Sequence, residues 1–123
     1  MREILFRGRT IAYDSWVEGF YVYDPDYKTH SIALMESPYD WYDVDPETVG
    51  QFTGLLDMNG RRIFEGDVVF NPYIRESFSP RRAVEYADGG FGPFVGESFG
   101  SLWKPNEVMV IGNIHDNPDL IKV

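Results

Sequence analysis

Short runs of apolar residues, interrupted every few positions by glycine, proline or acidic side chains, form the main pattern along the chain. None of these runs keeps a 3.6-residue apolar period for more than two turns, so the pattern predicts no long helix. Their lengths and their aromatic and β-branched content are typical of strands. We predict strands over residues 2–7, 16–23, 30–36, 48–54, 68–74, 82–87, 91–95 and 107–115, with a further arm over 61–64.

Turn residues between these runs predict how the strands are connected. D-P-D at 24–26 joins two of them into a hairpin, Asn59-Gly60 is the strongest hairpin signal, and D-G-G at 88–90 predicts another tight turn. The segment 37–47 lies between Ser-Pro and Asp-Pro breakers and is predicted to be a loop. The tail at 117–121 predicts one helical turn, capped by its asparagine.

These elements together predict a mainly β fold of short antiparallel strands. We expect the C-terminal half to form a small SH3-like barrel and the N-terminal half to add a β-hairpin extension. The barrel would open with G-D-V-V at 66–69 and close with a strand that ends at Ile114. At this length we expect one domain over 1–123, with an N-terminal β lobe over 1–60 and a barrel-like lobe over 61–123.

Composition and charge narrow the functional classes. The absence of cysteine excludes a disulfide scaffold, a zinc-thiolate site and a cysteine nucleophile. The N-terminus is charged, and no apolar stretch is long enough to span a bilayer, so we expect a cytoplasmic protein with no membrane partner. The net charge is −9, and residues 29–60 hold six acids but no lysine or arginine, which disfavours nucleic-acid partners.

Three segments carry a resemblance to a known family. They are M-R-E-I-L-F-R-G at the start, T-V-G-Q-F-T-G-L-L-D-M-N-G-R-R-I-F-E-G-D-V-V-F over 48–70, and V-I-G-N-I-H-D-N-P-D-L-I near the end. The chain resembles the YopX family of phage and prophage proteins. This resemblance implies a mostly β fold, a mobile-element origin and the cytoplasm of a bacterial host. The family has no established activity, so the resemblance implies no catalytic residue.

The residues of the 48–70 motif also have a structural interpretation. Gly54 and Gly60 suit turn positions with positive φ, and Gly66 suits a sharp turn ahead of the next strand. Asp67 is suited to accept hydrogen bonds from loop amides, and Thr53 to bridge strand ends. The motif therefore either specifies the fold or lines a binding surface, and the sequence leaves both interpretations open.

An acidic and aromatic segment is the first candidate site. Its candidate partner-binding residues are Tyr39, Trp41, Tyr42 and Asp43. Exposed aromatic rings beside fixed charges are typical anchors for a partner protein. The acids over 40–47 do not match an EF-hand loop, so we expect no metal there, although a metal-dependent enzyme remains the third hypothesis.

A second candidate is a nucleic-acid-binding face in the C-terminal half. Small β-barrels bind single strands with surface aromatics beside basic side chains. The candidate residues are Tyr73, Arg75, Arg81, Arg82 and Tyr86. The acidic net charge makes this the weaker alternative.

No catalytic constellation is visible in the sequence. It lacks G-x-S-x-G and other nucleophile motifs, and its glycine-rich run at 89–96 lies in a predicted hairpin rather than before a helix. We therefore predict no catalytic residue, no cofactor and no metal. The leading hypothesis is a non-catalytic protein-interaction module that binds another copy of itself, as a homo-oligomer, or an unidentified host or phage protein.

Overall fold

A computed structural model describes residues 4–87, 89–94 and 103–121. The described strands are β1 (Phe6–Arg9), β2 (Trp16–Asp24), β3 (Thr29–Leu34), β4 (Trp41–Asp43), β5 (Gly50–Leu56), β6 (Arg62–Phe64), β7 (Asp67–Phe70), β8 (Arg81–Ala83), β9 (Glu85–Ala87), β10 (Gly90–Gly92) and β11 (Met109–Asn113). Short 3-10 turns lie at Pro46–Thr48, Glu76–Phe78, Pro105–Glu107 and Pro118–Ile121. The predicted mainly β fold of antiparallel strands is confirmed. No helix in these ranges is long and apolar enough to cross a membrane.

The chain divides into two compact units, Met1–Phe52 and Thr53–Val123. In the first unit the strands follow the order β4-β3-β2-β1-β5, with every neighbouring pair antiparallel. Strand β5 runs across the boundary between the units, and it also pairs with β6. The division into lobes over 1–60 and 61–123 stays a prediction.

The β2–β3 hairpin is the longest paired element of the first unit. Its turn is built by Asp24, whose Oδ1 accepts a hydrogen bond from the backbone N–H of Asp26 at 2.9 Å. This is the Asx geometry that aspartate favours before a tight turn. The predicted hairpin is therefore confirmed, and its register places Tyr23 opposite His30 and Gly19 opposite Leu34.

The prediction that residues 37–47 form a loop is wrong at its centre. Trp41–Asp43 forms β4, which pairs with β3, with Trp41 opposite Ala33. The edge of β4 that faces away from β3 is also hydrogen-bonded at one end, because the N–H of Ile11 donates to the carbonyl oxygen of Asp43 at 3.0 Å. The strand is too short to show an alternating pattern, and backbone pairing on both sides determines it.

The second unit contains the three-stranded sheet β11-β7-β8 and the separate β9–β10 pair. Among the described residues of this unit, the buried core cluster contains Ile63, Val69, Val84, Phe91, Phe94, Trp103, Val108 and Val110. Within the described part of this unit the strands form no closed barrel, because β9 and β10 pair only with each other. The SH3-like detail of the prediction is not confirmed.

Residues of the 48–70 motif form hydrogen bonds within this unit. Asp67 is buried, and its Oδ2 accepts a hydrogen bond from the N–H of Phe64 at 2.8 Å. The Thr53 hydroxyl donates to the carbonyl oxygen of Ile63 at 2.7 Å. Gly54, Gly60 and Gly66 have φ values of 85°, 79° and 93°. These contacts support the structural interpretation of the motif.

Candidate functional site

The short strand β4 positions the side chains of the first candidate site. Alternation along a strand places Trp41 and Asp43 on one face and Tyr42 on the other. On that face, Trp41 lies opposite Ala33 and Asp43 lies opposite Ser31 in β3. Both β3 residues are small and buried. The large Trp41 ring and the Asp43 carboxylate of β4 therefore lie next to two small, buried residues of β3.

Two grooves adjoin this strand. The hairpin groove, of about 420 Å³, is lined by Val22, Tyr23, Asp24, Pro25, Thr29, Ser31, Trp41 and Asp43. The edge groove, of about 410 Å³, is lined by residues 10–13 and 41–43. Trp41 and Asp43 line both grooves, so these two side chains form the rim between them.

Several large side chains around this rim are exposed to solvent. Trp41 is 61% exposed and Tyr39, two residues earlier, is 97% exposed. Across the edge groove, Ile11 is 68% and Tyr13 is 71% exposed. The Tyr13 and Tyr42 rings meet edge to face, with centroids 6.3 Å apart. The four predicted partner-binding residues lie within five positions of the sequence, and the structure places Ile11 and Tyr13 in the same groove as three of them.

The acids of this segment make separate local hydrogen bonds. Asp43 Oδ1 accepts from the Ser31 hydroxyl at 2.8 Å, and Asp40 Oδ2 accepts from the Ser37 hydroxyl at 2.7 Å. Asp45 Oδ1 accepts from the N–H of Glu47 at 3.0 Å and begins the 3-10 turn after it. Among the described residues, no group of three or more histidine, aspartate or glutamate side chains is arranged to hold a metal ion.

The residues of the predicted nucleic-acid face have different surroundings in the structure. Arg81 and Arg82 are adjacent in β8, so their side chains point to opposite faces of the strand. The Arg82 guanidinium lies 5.1 Å from the centre of the Trp103 ring, which is buried in the core. Tyr86 packs edge to face on Phe91, with centroids 5.1 Å apart.

The remaining basic and aromatic residues of that set lie elsewhere or are paired. Tyr73 and Arg75 are exposed in the segment after β7. Arg81 forms two hydrogen bonds with Glu76, Nη1 to Oε2 at 2.9 Å and Nη2 to Oε1 at 3.1 Å. Its charge is therefore already balanced by a carboxylate of the same chain, which reduces what it can offer a phosphate.

The Arg81–Glu76 pair gives a pH-dependent prediction. The hydrogen bonds from Arg81, followed by its charge, lower the pKa of Glu76 below its ordinary value. The pair then stabilises the fold above the carboxyl's unfolded pKa, and this contribution disappears as the pH falls through the lowered pKa. An NMR titration of the Glu76 side chain should show the lowered pKa in the wild type and a return towards the ordinary value in Arg81→Gln. An ordinary pKa in the wild type would contradict the pairing.

The sequence does not indicate which residues lie opposite β4 or which residues line the edge groove across from it. Ser31 and Ala33 sit within a predicted strand, but nothing in the sequence shows that they face Asp43 and Trp41. Residues 10–13 have no predicted role, although Ile11 and Tyr13 are large apolar residues in the polar segment between the predicted strands over 2–7 and 16–23. An exposed isoleucine and tyrosine in such a segment are the signal that could have indicated a binding role.

Comparison with known proteins finds similarity along nearly the whole chain. A family model described as YopX protein matches residues 9–122. The crystal structure of protein EF1440 from Enterococcus faecalis is similar to this chain, with a TM-score of 0.61 and 26% sequence identity over 99% of this chain and 100% of that chain. No curated protein matches the chain. These findings cover both units and name no activity.

Proposed function

Because the chain belongs to the YopX family, we propose that it is a non-catalytic protein-interaction module of a phage or prophage, acting in the cytoplasm of a bacterial host. The family resemblance supports the origin and the cellular setting. The interaction role is supported by one structural observation: Trp41 and Asp43 form a shared rim between two grooves of the first unit. We name the surface around this rim the Trp41 surface; its residues are Ile11, Tyr13, Tyr39, Trp41, Tyr42 and Asp43.

The side chains of the Trp41 surface have the composition of an interface centre. Tryptophan and tyrosine are enriched among the residues that dominate binding energy, because they bury a large area at a small entropic cost. Exposed apolar side chains that are grouped, rather than scattered singly, mark interaction sites. Here three exposed apolar side chains, those of Ile11, Tyr13 and Trp41, line one groove, and the exposed Tyr39 precedes Trp41 by two residues.

The backbone of β4 adds a second reason. Two residues that flank β4 are hydrogen-bonded to β3. The N–H of Leu34 donates to the carbonyl oxygen of Asp40, and the N–H of Val44 donates to the carbonyl oxygen of His30. Alternation then turns the N–H and carbonyl groups of Trp41 away from β3. On the side of β4 that faces away from β3, the pairing given for the described residues is the Thr10–Val44 bridge, and it leaves Trp41 without a strand partner on that side. An extended partner segment could pair there by strand addition.

Charge favours a different protein over a second copy as the partner. The chain carries −9, and residues 29–60 contain acids without any lysine or arginine. Two copies that met through this surface would bring like charges together, which disfavours association. A partner with basic side chains would meet complementary charge. The nucleic-acid and metal-enzyme alternatives have no comparable support, since Arg81 and Arg82 face apart and the acids bond separately.

Peptide selection tests the proposed function. Linear peptides selected from a random display library on the wild-type protein should, when titrated in NMR, shift the amides of β4 and of residues 10–13. Trp41→Ala should weaken their binding at least tenfold, because a tryptophan anchor commonly contributes about 2 kcal/mol or more. Tyr27→Ala is the matched control, since Tyr27 is 80% exposed in the same unit and lines neither groove.

The proposal fails if no peptide is retained, if the peptides shift other regions, or if both variants lose binding equally. Light scattering after size exclusion at two concentrations tests whether a second copy of the chain binds this surface instead. We expect the mass of one chain at both concentrations. A stable oligomer that Trp41→Ala dissociates would contradict the choice of a different protein and assign the surface to a second copy.

A further inference from the structure

The three tryptophans of the chain differ in what covers their rings. Arg7 and Arg9 lie over Trp16, with guanidinium carbons 4.8 and 5.9 Å from the ring centre. Arg82 lies over Trp103 at 5.1 Å. These distances are those of cation–π contacts. Trp41 has neither a ring nor a guanidinium partner among the described residues, and it is the most exposed of the three.

Negative charge lies on the same side of Trp41. Asp43 and Asp24 both line the hairpin groove with it. Asp43 uses Oδ1 to accept from Ser31, and its Oδ2 has no hydrogen-bond partner within the described ranges. Asp24 uses Oδ1 in the turn of the β2–β3 hairpin. Among the residues that the structure describes, no lysine or arginine lines this groove.

The size and the lining of the hairpin groove allow it to accept a side chain of a partner. Its volume of about 420 Å³ falls in the range of small ligand pockets. Ser31, which is small, buried and opposite Asp43 in the neighbouring strand, lines the groove between Asp43 and Val22 and leaves space there. Val22 lies opposite Ser31 on the other side, so apolar surface is available for an aliphatic stem.

We propose, resting on the proposed function, that the hairpin groove binds an arginine side chain of the partner protein. The guanidinium stacks on the Trp41 ring and donates to Asp43 Oδ2, while Asp24 adds negative charge at the far end. A guanidinium is planar, permanently charged and weakly hydrated, so it satisfies an aromatic face and a carboxylate together. The chain uses the same stacking internally at Trp16 and Trp103.

A pair of matched small molecules tests this proposal. Nα-acetyl-arginine amide should cause saturable NMR shifts at the Trp41 indole and at the amides of Ser31 and Asp43. Nα-acetyl-citrulline amide has nearly the same shape without the charge, and we expect it to bind about tenfold more weakly, as the loss of one ion pair and one cation–π contact implies. Higher salt should weaken only the arginine compound.

Two charge variants assign the effect to a residue. Asp43→Asn keeps an oxygen for the Ser31 hydroxyl and should weaken the arginine compound about tenfold. Asp40→Asn removes the same charge outside both grooves, keeps an acceptor for Ser37, and should change the affinity less than about twofold. Trp41→Leu keeps an apolar side chain but loses the aromatic face, and should also weaken binding.

The proposal is overturned if the arginine and citrulline compounds bind equally, if neither gives saturable shifts at these positions, or if the two aspartate variants behave alike. Selected peptides that still bind at the Trp41 surface in that case would leave the proposed function standing. Peptides that bind elsewhere would instead overturn the proposed function, whatever the small molecules do.

Discussion

Gly19→Ala is expected to destabilise the protein by about 3 kcal/mol, at the upper end of the cost of overpacking. A β carbon added at Gly19 would lie 2.0 Å from the carbonyl oxygen of Ala33 and 2.9 Å from its carbonyl carbon. Both are backbone atoms of β3, so no side-chain rotation can relieve the clash. Gly19 also pairs with Phe6 of β1, so β2 cannot move away from β3 without disturbing its pairing with β1.

Denaturant unfolding of the variant and the wild type measures this cost. The matched control is Phe20→Ala, the next residue of β2, whose side chain is exposed and whose loss should cost less than about 1 kcal/mol. A Gly19→Ala protein that unfolds at the wild-type midpoint would show that β2 and β3 are not held this closely together.

Local turn chemistry made much of the fold predictable. The Asn59-Gly60 hairpin and the turn at Gly66 depend on glycines with positive φ, a property that neighbouring residues reveal without knowledge of the rest of the chain. Gly19 shows the limit of this reasoning. In the sequence W-V-E-G-F-Y-V-Y, Gly19 only weakens the strand pattern. Glycine is required there because the Ala33 carbonyl of β3 approaches it closely, and this approach depends on the pairing of β2 with β3.

The candidate site was predictable in composition but not in geometry. Tyr39, Trp41, Tyr42 and Asp43 were identified by their residue types, yet their segment was predicted as a loop. A three-residue strand shows no period, and its partners are β3 and Ile11, which the local sequence does not indicate. The arginine face was likewise predicted from residue types alone, and the structure shows that Arg81 and Arg82 are adjacent in β8, where alternation along a strand places neighbours on opposite faces.

Asp57→Ala is expected to destabilise the second unit by about 4 kcal/mol, because one buried carboxylate satisfies three backbone donors. Oδ1 accepts from the N–H groups of Asn59 and Arg61 at 2.9 Å each, and Oδ2 accepts from the N–H of Val110 at 2.9 Å. The buried Val110 donor costs about 1–3 kcal/mol when it is left without a partner, and the two partly buried donors of the turn add to this cost. The bond to Val110 also joins the motif turn to β11, across 53 positions of sequence.

A graded pair of variants separates the loss of these bonds from the loss of charge. Asp57→Asn keeps one oxygen for the turn but offers an N–H₂ group where the Val110 N–H needs an acceptor, so it should cost less than alanine and still be destabilising. Met58→Ala, at the exposed next position, should change stability by less than about 1 kcal/mol. Hydrogen exchange at the Val110 amide gives a local readout: Asp57→Ala should raise its exchange rate beyond that of the other β11 amides. An unchanged rate at Val110 would mean that this carboxylate does not hold β11, and the stability cost would then have to arise within the turn alone.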